Sequence, residues 1–146
     1  MDKKNGFGKI EICIAVMIAI IFAIIVIPKL SSIIEKSKEG ATKGSLGSLR
    51  SAIAMYYGDN NGVYPSTDII KELTDDSKYI DKIPTAYTGH HRKTNDITTS
   101  DFDKNPDTGG WAYKSDDAPD STGKIKGQIW INCTHTDSHG NVWNQL

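Results

Sequence analysis

The sequence predicts an α+β protein with a long N-terminal α-helix and a small C-terminal antiparallel β-sheet head. Three observations support this fold class. The run from Ile12 to Ile27 is uninterrupted apolar sequence, and apolar residues then recur at steps of three and four up to Tyr57. Two segments near the C-terminus alternate in the manner of β-strands. We therefore expect an apolar helix, an amphipathic continuation of it, and a compact head.

The apolar run is long enough to span or nearly span a bilayer. As a helix, Ile12 to Ile27 covers roughly 24 Å of a hydrocarbon core about 30 Å thick. Lys9 and Lys29 flank the run, and their side chains can reach the headgroups. The lysines that precede the run place the N-terminus on the cytoplasmic side by the positive-inside rule. The rest of the chain then faces outward.

Charge favours a membrane surface over nucleic acid as a partner. The formal net charge is -1, but residues 1–57 carry eight Lys or Arg against four Asp or Glu, and the remainder carries nine against fourteen. Basic residues clustered beside an apolar run are typical of membrane contact. Cys13 lies in the apolar run and Cys133 in the head, so we expect no internal disulfide.

Two ordinary explanations of the N-terminal segment fit it less well. A secretory signal peptide needs a small-residue cleavage site behind the apolar run, and the nearest Ala-x-Ala, at 52–54, lies far downstream in a helical pattern. A plain signal anchor explains the hydrophobicity, but it explains neither the carboxylate of Glu11 nor the proline at position 28.

The segment GFGKIE, residues 6–11, stands directly before the apolar helix. It resembles the leader junction of type IV pilins and type II secretion pseudopilins. The resemblance implies cleavage between Gly6 and Phe7 by a prepilin peptidase and N-methylation of Phe7. Glu11 would be the fifth mature residue, and Pro28 would stand where the family often has a helix-bending proline. Between Phe7 and the Ile-Glu pair the family usually has Ser or Thr and then Leu, and this chain has Gly and Lys.

The resemblance also implies an organisation, a function and partners. The domains would be a prepilin leader, a transmembrane and assembly helix, an amphipathic helix and a globular head, at 1–6, 7–29, 30–60 and 61–146. The protein would be a non-enzymatic filament subunit, favouring type II protein secretion, with a type IV pilus subunit or a membrane-anchored binding module as alternatives. Its partners would be copies of itself, the prepilin peptidase, an inner-membrane assembly platform, minor pilins or pseudopilins, and the membrane, with no nucleic acid. The head would be periplasmic before the subunit enters the pilus or pseudopilus.

Glu11 carries the assembly hypothesis, because an ionised carboxylate near hydrocarbon needs a partner. Cleavage would create one in the amine of Phe7, one helical turn away or supplied by a neighbouring subunit. An intersubunit pair would set the axial register, as a polar residue does in a coiled coil. The alternative is that Glu11 lies at headgroup level, beside the favourable N-terminus of its own helix.

The amphipathic helix contains Gly40, Gly44 and Gly47, each of which lowers helix stability by roughly 0.5–1 kcal/mol relative to alanine. Either these small residues let neighbouring helices approach closely, or the stretch is frayed and solvated. The sequence DNNG at 59–62 predicts the helix end and a turn. The segment YYGDNNGVYPS again resembles the family at the entry to the head.

The head is predicted to contain a short helix and a small sheet. Ser66 is the predicted N-cap of a helix through Leu73. Segments 109–114 and 127–132 are the predicted strands of an antiparallel meander. We expect the meander to cover three helix residues, Ile53, Tyr56 and Tyr57, and a last strand or strap to include Val142 and Trp143.

The polar loops of the head contain residue types that can bind calcium or zinc, but the sequence pattern is not specific enough to predict either metal. The turn with Asp116, Asp117 and Asp120 has oxygen ligands for calcium, and the family's major pseudopilins often have a calcium-stabilised loop. Nitrogen and sulfur ligands for zinc occur at positions 90, 91, 133, 135 and 139, as histidines and one cysteine. The sequence contains no nucleophile elbow or phosphate-binding loop, so we expect no cofactor and no catalytic residue.

Overall fold

The computed structural model describes residues 8–99, 107–118 and 122–146. The helices are α1 (Lys9–Asp59) and α2 (Ile69–Thr74), and the strands are β1 (Ile97–Thr98), β2 (Trp111–Tyr113) and β3 (Ile129–Ile131), with short 3-10 helices at Asp75–Ser77 and Trp143–Gln145. The α+β class and the long N-terminal helix are therefore confirmed. The predicted processing residues Gly6 and Phe7, and Asp120 of the calcium hypothesis, lie outside the described residues.

Helix α1 contributes to two compact units, one ending at Lys36 and one running from Ser37 to Leu146. In the first unit, every described side chain from Ile10 to Lys36 is exposed. Ile10, for example, is 76% exposed and Ile24 is 69% exposed. These side chains are not part of a core formed by the described residues.

The second unit, which we call the head, has its core on the C-terminal half of α1. Leu46, Leu49 and Ile53 are buried at three- and four-residue spacing, as expected for one face of a helix. They pack in one cluster with side chains from α2 and the sheet, among them Leu73, Trp111, Tyr113, Ile129 and Ile131. The predicted packing of the sheet over Ile53 is confirmed.

The sheet buries fewer side chains at the C-terminal end of α1 than predicted. Tyr56 is partly buried against the core. Tyr57 is 39% exposed instead, with its ring centroid 4.3 Å from that of Tyr64. The prediction that the sheet covers Tyr57 is therefore wrong in extent, because this exposed side chain pairs with the half-buried Tyr64 and only borders a surface pocket that it shares with Ile129 of β3.

The sheet has the order β1-β2-β3 and is mixed. Strands β2 and β3 are antiparallel, as predicted, and Ala112 lies opposite Trp130. Strand β1 pairs with β2 in parallel, so the prediction of a purely antiparallel sheet is wrong. Residues 99–110 connect β1 to β2, and a connection of about a dozen residues is what a parallel pair requires.

Both main strands are shorter than predicted, and on their N-terminal sides glycines leave the extended conformation. Gly109, Gly110 and Gly127 have φ of +77°, +72° and +85°. At Gly127 an added Cβ would lie 2.3 Å from the ring of Tyr64, so glycine is also required for space. Backbone hydrogen bonds nevertheless continue the pairing past the strand ends, from the Gly109 amide to the Asn132 carbonyl and from the Lys114 amide to the Gln128 carbonyl.

Two aromatic side chains of β2 anchor loops over the core. The indole nitrogen of Trp111 donates to the carbonyl of Pro84 at 2.7 Å. The hydroxyl of Tyr113 donates to the carbonyl of Pro65 at 2.8 Å. Each bond joins a buried strand to a segment far away in the sequence, so side chains of the strand hold these loops in place.

The short helix and the strap follow the predictions with one correction. Helix α2 has Asp68 as its N-cap residue, so the prediction that Ser66 is the N-cap is wrong. The Ser66 hydroxyl donates instead to the carboxylate of Glu72 and accepts a bond from the Asp68 amide. Val142 pairs with Thr136 in an isolated bridge, and Trp143 begins a 3-10 helix, so the predicted strap is present.

Candidate functional site

The first turn of α1 positions Glu11 against the backbone. The amide of Gly8 donates to Glu11 Oε2 at 2.8 Å. A carboxylate that accepts a bond from the amide three residues earlier stabilises a helix N-terminus, where the helix dipole also favours negative charge. In the single chain, Glu11 is therefore a cap of its own helix.

Helix α1 is also the candidate membrane span. It contains an apolar window whose hydropathy and length are sufficient to cross a bilayer, and that window is unburied. Glu11 lies at the N-terminal end of the window, Cys13 is exposed within it, and Pro28 lies near its C-terminal end. An apolar helix with a carboxylate in its first turn is the feature of this unit that calls for a functional explanation.

The head contains a second candidate, a cluster of four side chains with metal-ligating atoms. The cluster consists of His91, Asp107, Cys133 and His135, and one donor atom from each lies within 4.8 Å of the others. His91 Nε2 is 2.8 Å from Asp107 Oδ1. His135 Nδ1 is 3.4 Å from Asp107 Oδ2 and 3.6 Å from Cys133 Sγ. We call this group the His-Asp-Cys cluster.

Three segments bring the cluster together. His91 comes from the loop before β1, Asp107 lies just before β2, and Cys133 and His135 follow β3. Gly109 allows the first two segments to meet, because an added Cβ there would lie 2.6 Å from the Cβ of His91. Pairing of β2 with β3 brings Asp107 close to Cys133 and His135, and the contact at Gly109 brings His91 close to Asp107.

Backbone hydrogen bonds fix the segment that follows β3. The amide of Thr134 donates to Asp107 Oδ1 at 2.9 Å. The carbonyl of Cys133 accepts a bond from the Asn144 amide, and the carbonyl of His135 accepts one from Trp143. The two ligand-type residues of this segment are therefore held on both sides, by the carboxylate and by the strap.

The electrostatics of the cluster differ between its sulfur and its carboxylate. Burial raises the pKa of the Cys133 thiol, and the nearby Thr88 hydroxyl acts in the opposite direction. Burial also raises the pKa of Asp107, but hydrogen bonds from Thr134 and His91 outweigh it, so that this pKa is lowered overall. The arrangement thus contains an ionised carboxylate next to two imidazoles and a buried thiol.

The structure brings together some of the residues that the sequence suggested as zinc ligands. Three of these residues, His91, Cys133 and His135, do lie together. His90 stacks on the ring of His135 with centroids 4.3 Å apart, and His139 belongs to a different turn. Asp107 was missed, because no spacing in the polar segment before β2 distinguishes one aspartate from the others.

A third feature, also missed from sequence, is the turn around Asp137. The carboxylate of Asp137 accepts bonds from the amides of His139 and Asn141, both at 2.8 Å, and forms an ion pair with Lys43 of α1. Burial raises the pKa of Asp137, but these donors outweigh it and hold the pKa well below its usual range. Glu39 of α1 accepts a bond from the neighbouring Ser138 amide at 3.2 Å. The turn is fastened to the helix through two carboxylates.

The carboxylates of the calcium hypothesis contact lysines. Asp116 is 3.0 Å from the ammonium group of Lys114, and Asp117 is 3.3 Å from that of Lys126. Among the described residues of this turn, the two aspartates are thus engaged with cations of the head.

Comparison of the chain with protein-family models, curated proteins and solved structures returned no match. The function is therefore argued from the residues and from the geometry described above.

Proposed function

We propose that the chain is a structural subunit of a pilus or pseudopilus, with a pilin-like fold, which polymerises through its N-terminal helix. We favour a pseudopilus for type II protein secretion and assign no catalytic role. The observation that carries the proposal is the first unit of α1, an exposed apolar helix with a carboxylate in its first turn. The alternative of a type IV pilus subunit, for adhesion, motility or DNA uptake, shares this helix.

Exposure of the apolar side chains supports the assembly role. Side chains such as Ile18, Ile21 and Phe22 are about half exposed or more in the single chain. Burial of apolar surface stabilises a complex by roughly 25 cal/mol per Å². In the membrane lipid covers this surface, and in a filament neighbouring copies of the same helix would cover it. The contacts between subunits would be heterologous, because only a non-closing interface produces an open filament.

Glu11 would select the register of that packing. In the single chain the carboxylate is satisfied by the Gly8 amide. Cleavage after Gly6 would place a charged amine on Phe7, and the carboxylate could then pair with the amine of a neighbouring subunit. A charged partner in a low-dielectric environment stabilises the carboxylate more than a neutral amide does. Such a pair favours one axial offset between subunits over all others.

The proposal includes location and partners. The N-terminus would be cytoplasmic and the head periplasmic, in a single-pass protein of the inner membrane that is later extracted into the filament. A prepilin peptidase would process the chain, and an inner-membrane platform and minor pilins or pseudopilins would assemble it. The second candidate, a membrane-anchored binding module, would use α1 as a tether and would need neither processing nor a specific role for Glu11.

A conservative substitution of Glu11 separates these functions. Glu11→Gln removes the charge but keeps an oxygen that can accept the Gly8 bond, so insertion and head folding should not change. In a host with an active prepilin peptidase, intact mass should show loss of the six leading residues and gain of one methyl group, in the wild type and the variant alike. Electron microscopy should show filaments from the wild type and none, or at least tenfold fewer, from the variant.

Glu35→Gln is the matched control, because Glu35 is an exposed glutamate on the same helix. This variant should assemble like the wild type. An unprocessed N-terminus in that host would contradict the proposal, and normal filaments from Glu11→Gln would contradict the register role of Glu11.

A further inference from the structure

We infer that the head binds one divalent transition-metal ion, zinc by the chemistry of its donors, between His91, Asp107, Cys133 and His135. The site would be structural, since four protein ligands leave no open coordination position. This inference concerns the head alone and does not depend on filament assembly.

Two separations between donor atoms match a tetrahedral site, and a third, from His91 Nε2 to Asp107 Oδ1, is shorter at 2.8 Å. Zinc bonds of about 2.0–2.3 Å place ligand atoms roughly 3.3–3.8 Å apart in a tetrahedron. The contact of His135 Nδ1 with Asp107 Oδ2 is 3.4 Å, and its contact with Cys133 Sγ is 3.6 Å. The donor atoms all lie within 4.8 Å of one another. Binding of an ion would require the donor atoms to shift by about 1 Å from these positions.

The donor set selects a borderline transition metal. Two imidazoles and a thiolate suit zinc, and calcium or magnesium would require oxygen ligands instead. The carboxylate of Asp107 completes the charge balance, because a thiolate and a carboxylate together neutralise a divalent ion. A metal-bound thiolate and neutral imidazoles would replace the protonated thiol and the hydrogen bonds that join the cluster without the ion.

The surroundings of Cys133 provide an independent argument. Cys133 is fully buried, and so is the Thr88 hydroxyl beside it. That hydroxyl oxygen has no hydrogen bond of normal geometry within the described residues. A buried donor beside a ligand sulfur is the usual outer-shell partner of a metal-bound thiolate. A thiolate at position 133 would give the Thr88 hydroxyl a strong acceptor, which the thiol does not.

The site also has an entrance and a structural purpose. The His135 side chain is 44% exposed, so an ion can reach the cluster from solvent. The ligands come from three segments that the two- and three-residue strands hold together with few ladder bonds. Neither cysteine is in a disulfide. One ion would therefore crosslink the loop before β1, the approach to β2 and the segment after β3.

The test uses the untagged full-length chain in detergent micelles, with Cys13→Ser so that Cys133 is the one remaining thiol. The protein is reduced, freed of metal with a chelator and titrated with Co²⁺. We expect one Co²⁺ per chain, a cobalt–thiolate charge-transfer band, the intense d–d bands of tetrahedral cobalt, and displacement by Zn²⁺. Zn²⁺ should also raise the midpoint of thermal unfolding, because a ligand that binds only the folded state stabilises it.

Cys133→Ser should lose the charge-transfer band, and His91→Ala should bind at least about tenfold more weakly. His139→Ala is the matched control, because His139 lies four residues after His135 but outside the cluster, and it should bind like the parent. Tryptophan fluorescence reports whether each variant is folded. The inference is overturned if the folded parent gives no charge-transfer band, if the band survives Cys133→Ser, or if His139→Ala weakens binding as much as His91→Ala.

Discussion

Asp137 shows at the scale of a single residue how a polar turn becomes part of a folded head. Its side chain is buried, and its charge is balanced by Lys43 and by the amides of its own turn. The sequence HTDSHGN indicates a turn but does not indicate which of its polar residues is the buried one. The answer depends on Lys43 and Glu39, which lie on α1 about a hundred positions earlier, and no local pattern contains that information.

The lowered pKa of Asp137 predicts a dependence of stability on pH. Because the folded-state pKa lies below the unfolded value of about 3.9, the carboxylate stabilises the head fully above that pH. The stabilisation is lost as the pH falls toward the folded-state pKa. Asp137→Asn should lower the free energy of unfolding at pH 7 by about 1–3 kcal/mol and should make it less sensitive to acid. Urea unfolding at pH 7 and at lower pH measures both effects.

Asp81→Asn is the control for Asp137→Asn, because Asp81 is exposed. It should leave both the stability at pH 7 and the acid dependence as they are in the wild type. An Asp137→Asn variant that loses stability with acid as steeply as the wild type would show that another group controls this region of pH.

At the scale of elements, α1 is continuous through Gly40, Gly44 and Gly47. These residues are exposed, and a Cβ added to any of them meets no atom within 4 Å. No contact among the described residues therefore requires glycine at these positions. Close approach of a neighbouring helix in the proposed filament gives a reason for them, and the alternative is a stretch that frays in solution.

Substitutions of Gly44 distinguish these explanations. Gly44→Ala should stabilise the head by roughly 0.5–1 kcal/mol, because alanine favours the helix. Gly44→Leu should give a similar gain in stability, since the site is open. If neighbouring helices pack here, filament yield should fall slightly with alanine and severely with leucine. Normal filaments from Gly44→Leu would exclude close packing at this face.

The elements differ in how far the sequence predicts them. The long helix and the β2-β3 pair follow from periodicity, because the apolar faces of α1 and the alternation in the two strands are local signals. Strand β1 has two residues, and its parallel pairing depends on the connection through 99–110, so no local pattern reveals it. The histidines and the cysteine of the His-Asp-Cys cluster can be predicted from the sequence, because their residue types are common zinc ligands. Asp107 cannot be predicted in this way, because only strand pairing brings it close to them.

At the scale of the whole molecule, the two units differ in which side chains they expose and which they bury. Described side chains from Ile10 to Lys36 are exposed, whereas the three tryptophans of the sequence, Trp111, Trp130 and Trp143, are all buried in the head. Tryptophan fluorescence therefore reports on the head without a contribution from the apolar helix. This separation makes it possible to perturb membrane association and head folding one at a time.

A charge in the middle of the apolar run should affect membrane association alone. A lysine at the centre of a membrane helix costs about 2.5–3.5 kcal/mol on insertion scales. Ile20→Lys should therefore release a large share of the protein from membranes on alkaline carbonate extraction. The urea midpoint of the head, followed by tryptophan fluorescence in detergent, should not change.

Ser31→Lys is the control for Ile20→Lys, since it adds the same charge beyond Lys29, and it should remain with the membrane. A shifted urea midpoint in Ile20→Lys would contradict the independence of the two units. Full retention of Ile20→Lys after extraction would contradict a spanning role for the apolar run.

The anchoring bonds of Trp111 and Tyr113 have a consequence for how such a head changes over evolutionary time. Each fastens a loop through one side chain and one backbone carbonyl, at Pro84 and at Pro65. The carbonyl is present whatever residue stands there, so the loop side of each bond places little demand on sequence. Loops held in this way can exchange most of their residues while the aromatic anchors stay, and related heads would then share a shape long after their loop sequences had ceased to align.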